Sequence, residues 1–236
     1  MKVQLQRGVD ILLFILLFAG MSFALYMALI GAPTEKTMGD IQRIFYFHVA
    51  AAITGLTAFA LNFVASLMYV FRKNRWWDAL ALSSAETGLL FFCMLLITGS
   101  IWGKPVWFVW WTWSPRLTSA FVLCLLYAVY LLIRKSFVDP NRKAMVAAVF
   151  GIVAFADAPL VWFSIRWWRD IHPSPMLETE GLPDPSMRLA FYTCMAAFLV
   201  LFLFLLRRRF YLERMRNRIE WIYRRTETNR MKGILQ

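Results

Sequence analysis

Apolar residues dominate six long stretches of the chain, at about residues 11–30, 49–71, 79–101, 117–133, 144–165 and 189–206, and polar residues collect between them. Crossing about 30 Å of hydrocarbon takes roughly 20 residues of helix. The pattern therefore predicts an all-α, polytopic membrane protein with six transmembrane helices. An even number of spans places both termini on one face. The first stretch is too long for the apolar core of a signal peptide and lacks a clear small-x-small cleavage site, so it is expected to remain as a span.

No repeat, low-complexity run or Gly/Ser linker interrupts the chain. One six-helix domain is expected over residues 1–206, followed by a basic tail over 207–236. In that tail Tyr211, Met215, Ile219 and Ile222 recur at near-helical spacing. This predicts an amphipathic helix resting on the inner leaflet or against a cytoplasmic partner.

Composition agrees, with 60% hydrophobic and 17% charged residues. A net charge of +12 would point to nucleic acid in a soluble chain. Its distribution says otherwise. Of the 26 Lys and Arg, 19 fall at the N-terminus, in the 72–78 and 134–143 turns and in the tail, leaving seven for the other three loops. Basic residues stay on the cytoplasmic side of a membrane. Both termini are expected there, with lipid rather than nucleic acid accounting for the charge. Cys93, Cys124 and Cys194 all fall inside spans, with no C-x-x-C motif. That excludes thiol redox chemistry and covalent haem attachment, and leaves them as small core residues.

The opposite, outer face carries longer loops, at about 31–48, 102–116 and 166–188. Trp102, Trp107, Trp110, Trp111, Trp113, Trp162, Trp167 and Trp168 gather on it, against Trp76, Trp77 and Trp221 on the inner face. An interfacial belt would decorate both faces, so the surplus calls for another use. In "VWFVWWTW" a helical turn would align Trp107, Trp110 and Trp111, with Gly103, Pro105 and Pro115 bracketing the segment. A short helix lying flat at the interface is expected, offering an apolar platform to a flat apolar ligand.

The chain has two histidines, His48 at the start of the second span and His172 after the fifth, both on the outer face. Paired imidazoles commonly hold a porphyrin iron or a transition metal, though a lone boundary histidine is usually structural. Arg43, Lys104 and Arg116 are cations within reach of a porphyrin's propionates, where an Arg fork binds carboxylate best. Glu86 and Asp157 fall inside spans. Glu86 is a candidate functional carboxylate, and Asp157 either faces a polar cavity or caps a break caused by Pro159.

The run "TGSIWGKPVWFVWWTWSPRLTS" (98–119) resembles the tryptophan-rich "WWD" segment of the haem-handling proteins of cytochrome c maturation, in particular the CcmC family of haem exporter proteins. "RIFYFHVAAA" is similar to that family's first-histidine segment and "DAPLVWFSIRWWRDIHPSP" to the stretch leading to its second, so the likeness covers nearly the whole chain. The resemblance implies a haem b bound at the outer surface of the cytoplasmic membrane, with His48 and His172 as axial ligands. Trp102, Gly103, Pro105, Trp107, Trp110, Trp111 and Trp113 would form its platform, and Arg43 and Arg116 would steady the propionates. It also implies delivery to a membrane-tethered haem chaperone (CcmE-like), beside ABC transporter subunits (CcmA- and CcmB-like) and a small membrane subunit (CcmD-like), with no covalent catalysis by this chain. Two positions depart from the family pattern. Ser114 replaces the acid that gives the motif its last letter, and Phe108-Val109 replaces a Gly-Thr pair after Trp107.

Other readings remain open at this level. A cytochrome b-like electron-transfer subunit would place its ligands deep within facing helices. A passive scaffold of a transporter complex would bind no haem. Larger relatives that attach haem to apocytochromes carry a second histidine pair within their spans, which two histidines in total cannot supply.

Overall fold

The computed structural model describes residues 2–168, 182 and 184–234, and these are helical with no strand among them. Six helical segments are long and apolar enough to cross a membrane: Arg7–Gly31, Asp40–Arg72, Arg75–Trp107, Pro115–Ser136, Pro140–Ser164 and Pro185–Glu227. The chain is a multi-pass membrane protein.

Helix α1 (Lys2–Tyr26) ends in a π turn (Met27–Gly31); a 3-10 turn (Asp40–Gln42) leads into α2 (Arg43–Arg72), which α3 (Arg75–Trp107) follows almost at once. Then come α4 (Pro115–Ser136), α5 (Pro140–Ala154), a 3-10 turn (Phe155–Asp157), α6 (Ala158–Trp167) and α7 (Pro185–Ile234). Polar residues outside the apolar runs set the starts. Asn74 accepts from the Trp76 N–H at 2.9 Å, Asp139 from Arg142 at 2.6 Å and Asp184 from Ser186 at 2.7 Å. Each such cap satisfies one of the amides a helix start leaves open and contributes about 1 kcal/mol. Proline stands at the first position of α4, α5 and α7, where no N–H is needed.

Helices α2 and α3 form the central pair, brought together by small residues. A Cβ on Gly55 would lie 2.5 Å from the Phe92 ring, and one on Gly88 would lie 2.6 Å from the Phe59 ring. Each glycine is the hole for the other helix's phenylalanine, a close approach that lipid-embedded helices rely on. Phe59 then stacks on Tyr127 of α4, with centroids 3.6 Å apart and planes 6° from parallel.

Charge gathers at the end of the bundle that carries the short turns and the N-terminus. Arg134 of α4 binds Asp78 of α3 through both nitrogens, at 2.5 and 3.1 Å. Arg207 of α7 reaches Asp10 of α1 at 2.6 Å, and Arg209 bridges Glu86 and Glu213. Glu86 is therefore a partner that ties α3 to α7. Helix α7 runs unbroken through residue 206, so the basic tail continues the last span as one helix. Met215, Ile219 and Ile222 of that tail are exposed. Cys124 and Cys194 are buried as expected, but Cys93 faces outward.

The break before Pro159 is present as the 3-10 turn Phe155–Asp157. Asp157 occupies the cap position of α6 without making a side-chain capping bond, and its Oδ2 is buried without a partner.

Candidate functional site

The other end of the bundle holds a cavity of about 1420 Å³, open mouth included, between α2, α3, α4, α6 and α7. Its walls run from Gln42 to Leu56 along α2 and from Trp102 down to Phe92 along α3. At 1.5 Å per residue these depths are roughly 20 and 15 Å. Aliphatic and aromatic side chains make the deep part; Gln42, His48 and Arg116 are polar positions in the wall.

His48 is the histidine that the structure describes, and it lines this cavity one and a half turns into α2. Its Nδ1 lies 3.1 Å from the Thr98 hydroxyl on α3. His172 lies outside the described residues. No group of three or more His, Cys, Asp or Glu that could hold a metal ion occurs among the described residues.

The tryptophans divide into two sets. Trp102, Trp107 and Trp111 line the cavity, as does Trp162 of α6. Trp110 and Trp113 face away, 60% and 73% exposed. The expected flat helix is absent. Helix α3 continues through Pro105 to Trp107, and residues 108–114 follow as bends and extended chain. Pro105 is exposed on the last turns of α3, while Gly103 is buried and gives Trp107 its place: a Cβ there would sit 3.1 Å from the indole. Trp107 meets Trp102 edge-on at 5.2 Å, so these rings build a corner rather than a sheet.

The reversal that separates the two sets happens at Phe108, which adopts φ 62° and ψ 6° as the C-cap of α3. That left-handed conformation costs a side-chain-bearing residue about 1–2 kcal/mol, and glycine far less. Phe108, where the resemblance implied a Gly, is thus a position whose backbone favours Gly. Lys104 steadies the turn, its Nζ donating to the Phe108 carbonyl at 3.0 Å and standing 5.9 Å above the Trp110 ring. Ser114, the other departure, occupies the N-cap position of α4 without a side-chain capping bond.

The two arginines separate as well. Arg116 lines the cavity mouth. Arg43 does not line it: its guanidinium donates to the carbonyls of Ala28 (2.9 Å) and Ala32 (3.2 Å), to Thr34 (3.3 Å) and to Asp40 (3.0 Å). It closes the end of α1 against the start of α2.

A buried donor in the wall lacks an acceptor. The Trp111 indole N–H has no hydrogen-bond partner, while the Gln42 amide lies against the Tyr46 hydroxyl. Burying such a group unpaired costs about 1–3 kcal/mol. Acceptor oxygens on a guest would remove that cost. A deep apolar slot with an imidazole, indole walls and donors near the mouth fits a large flat ligand with anionic groups on one edge. The residues present suit the porphyrin expected from the sequence.

Gln42, Thr98 and Gly99 escaped the sequence reading. The signal available was weak: one amide six residues before His48, and a Thr-Gly-Ser triplet closing an otherwise apolar span.

Comparison with known proteins points the same way. The family model described as "CcmC: Heme exporter protein C" matches residues 2–231. Similar relatives include Heme exporter protein C of Escherichia coli K12, 31% identical over 193 residues, covering 81% of this chain and 78% of that one. The protein of the same name from Bradyrhizobium diazoefficiens is 32% identical over 190 residues, 80% of this chain and 70% of that one. The one from Paracoccus denitrificans is 31% identical over 179 residues, 74% and 73% respectively.

Proposed function

The chain belongs to the Heme exporter protein C family, and from that footing we propose that it binds haem as cargo at the outer face of the cytoplasmic membrane and hands it on for c-type cytochrome maturation. The observation that carries the reading is the cavity itself, which places His48, Trp102, Trp107, Trp111 and Arg116 around one apolar slot at the rim.

In this proposal haem b is gripped by His48 and His172, its plane against the indoles and its propionates toward Arg116, Gln42 and the Trp111 N–H. Two imidazoles saturate the iron and keep it from oxygen chemistry. His48 supplies a ligand from a rigid helix; the slot walls exclude water; the donors at the mouth select the anionic edge. No bond of the cargo's macrocycle changes, so the chain acts as a binding and transfer protein and not as an enzyme.

Release then takes the loss of at least one Fe–N bond. The exposed apolar group of Phe108, Trp110 and Trp113 lies beside the cavity and offers a landing surface for a CcmE-like chaperone. On the opposite face the uncovered stripe of the α7 tail supports contacts with CcmA- and CcmB-like subunits, and a CcmD-like small subunit belongs to the same assembly. The chain has no G-x-x-x-x-G-K-[ST] motif, so ATP-derived work would come from such a partner. The excess of basic residues near the termini supports a cytoplasmic placement for them and a periplasmic one for the site.

The test is the optical spectrum of the protein purified in mild detergent, beside its His48→Ala and His172→Ala variants. A Soret band in the wild type that falls in each variant is expected. Equal haem content in the double variant overturns the proposal.

A further inference from the structure

The hydroxyl of Thr98 touches more than His48. It lies 2.7 Å from the Met94 carbonyl oxygen and 3.2 Å from that of Leu95, both one turn back in α3. A hydroxyl has a single proton. Carbonyl oxygens donate nothing, and among the acceptors around this hydroxyl the Met94 carbonyl is the nearest, closer than His48 Nδ1 at 3.1 Å. With its proton on that carbonyl Thr98 offers His48 a lone pair, and the proton in their contact is on Nδ1.

We propose that Thr98 is a positioning residue that sets the tautomer of His48, holding the proton on Nδ1 and the lone pair on Nε2, the nitrogen that would face a metal. Metal-ligating histidines generally donate their other N–H to an acceptor that fixes ring orientation and raises the basicity of the ligating nitrogen. Here the acceptor is a side chain whose own proton is committed to the backbone of α3. Helix geometry thus favours this tautomer before any cargo arrives. Gly99 completes the seat. A Cβ there would lie 3.0 Å from His48 Cε1, 3.6 Å from Nδ1 and 4.0 Å from Nε2, so the ring edge rests where any larger residue would push it. The Thr-Gly pair supplies both an acceptor and a gap.

The benefit to haem binding rests on the proposed function; the tautomer does not, and the test separates them. Because the chain has two histidines, protein labelled with 15N only in histidine carries two imidazoles, and the His172→Ala background leaves one. In haem-free protein at about pH 8, above the usual imidazole pKa of about 6.5, the nitrogen spectrum of His48 should show a protonated Nδ1 and an unprotonated Nε2. Thr98→Val keeps the shape and removes the acceptor; it should shift the ring toward the Nε2–H form or a mixture. Thr98→Ser should restore the wild-type pattern. A dominant Nε2–H form in the wild type, or an unchanged spectrum in Thr98→Val, overturns the proposal. With both histidines present, Thr98→Val should also bind haem about tenfold more weakly, the low end of what loss of such a supporting contact costs, and Thr98→Ser should not. If the tautomer behaves as expected while no variant binds haem, the positioning role stands and the haem reading falls.

Discussion

The Arg43 guanidinium stands 2.9 Å from the Ala28 carbonyl and 3.2 Å from that of Ala32, and so fastens the π turn closing α1 to the first residue of α2. A cation that looks in sequence like a propionate partner is occupied as a structural clamp. Arg43→Ala should leave those carbonyls to fend for themselves and lower stability by about 1–3 kcal/mol. Thermal unfolding in detergent would show this. Haem retained per folded molecule should change little, whereas Arg116→Ala should lower it.

The tryptophan sets predict opposite phenotypes within one loop. Trp111→Ala removes a wall of the cavity and should weaken haem binding roughly tenfold, in line with about 1.4 kcal/mol for a lost aromatic contact. Trp110→Ala and Trp113→Ala should leave haem affinity near wild type, because those rings face away. Haem titration followed by absorbance separates the cases; equal losses in all three would mean the loop closes as a unit.

Phe108 holds a backbone conformation that suits glycine. Phe108→Gly should raise stability by roughly 0.5–1 kcal/mol, the relief of left-handed strain less the greater freedom of an unfolded glycine. A higher melting temperature with an unaltered haem spectrum is the expected result.

Arg134 and Asp78 form a buried pair, 8% and 2% exposed. Arg134→Leu strands a carboxylate that Arg75 reaches only at 3.6 Å, and should cost about 3 kcal/mol. Replacing both by Leu should recover most of that loss. A double variant no better than the single one would show that the pair does more than neutralise itself.

Outside the spans, Glu35 closes its own turn. The Met38 N–H at 2.5 Å, helped by that of Thr37 at 2.7 Å, holds its carboxyl below the ordinary value of 4.5. A lowered carboxylate pKa stabilises the turn fully above the unfolded value, and the support is lost as pH falls through the folded one. The amide shifts of Thr37 and Met38 should titrate together with a midpoint below pH 4.5, and stay flat in Glu35→Gln.

The spans were legible because run length and hydropathy alone decide them; their starts at Pro115, Pro140 and Pro185 lie a few residues before the apolar runs, where proline's missing N–H costs a helix nothing. The shape of the Trp loop was not legible. Pro105 looked like a boundary, yet it sits on the exposed side of the last turns of α3 and the helix runs past it. The turn comes at Phe108, where sequence offers no glycine to announce it. Arg43 was misread for a related reason: its acceptors are carbonyls freed by a π turn in α1, and backbone acceptors leave no mark in a sequence. Glu86 seemed out of place inside a span until Arg209, far along the chain, supplied its partner.

Helix α7 begins at Pro185, brings Phe191 to the cavity wall and ends among the tail's arginines, about 75 Å of helix in one piece. With no interruption in its ladder of backbone bonds, a single rod packed on α1, α2 and α3 joins the tail to the cavity wall, so the two ends of the bundle share one mechanical element.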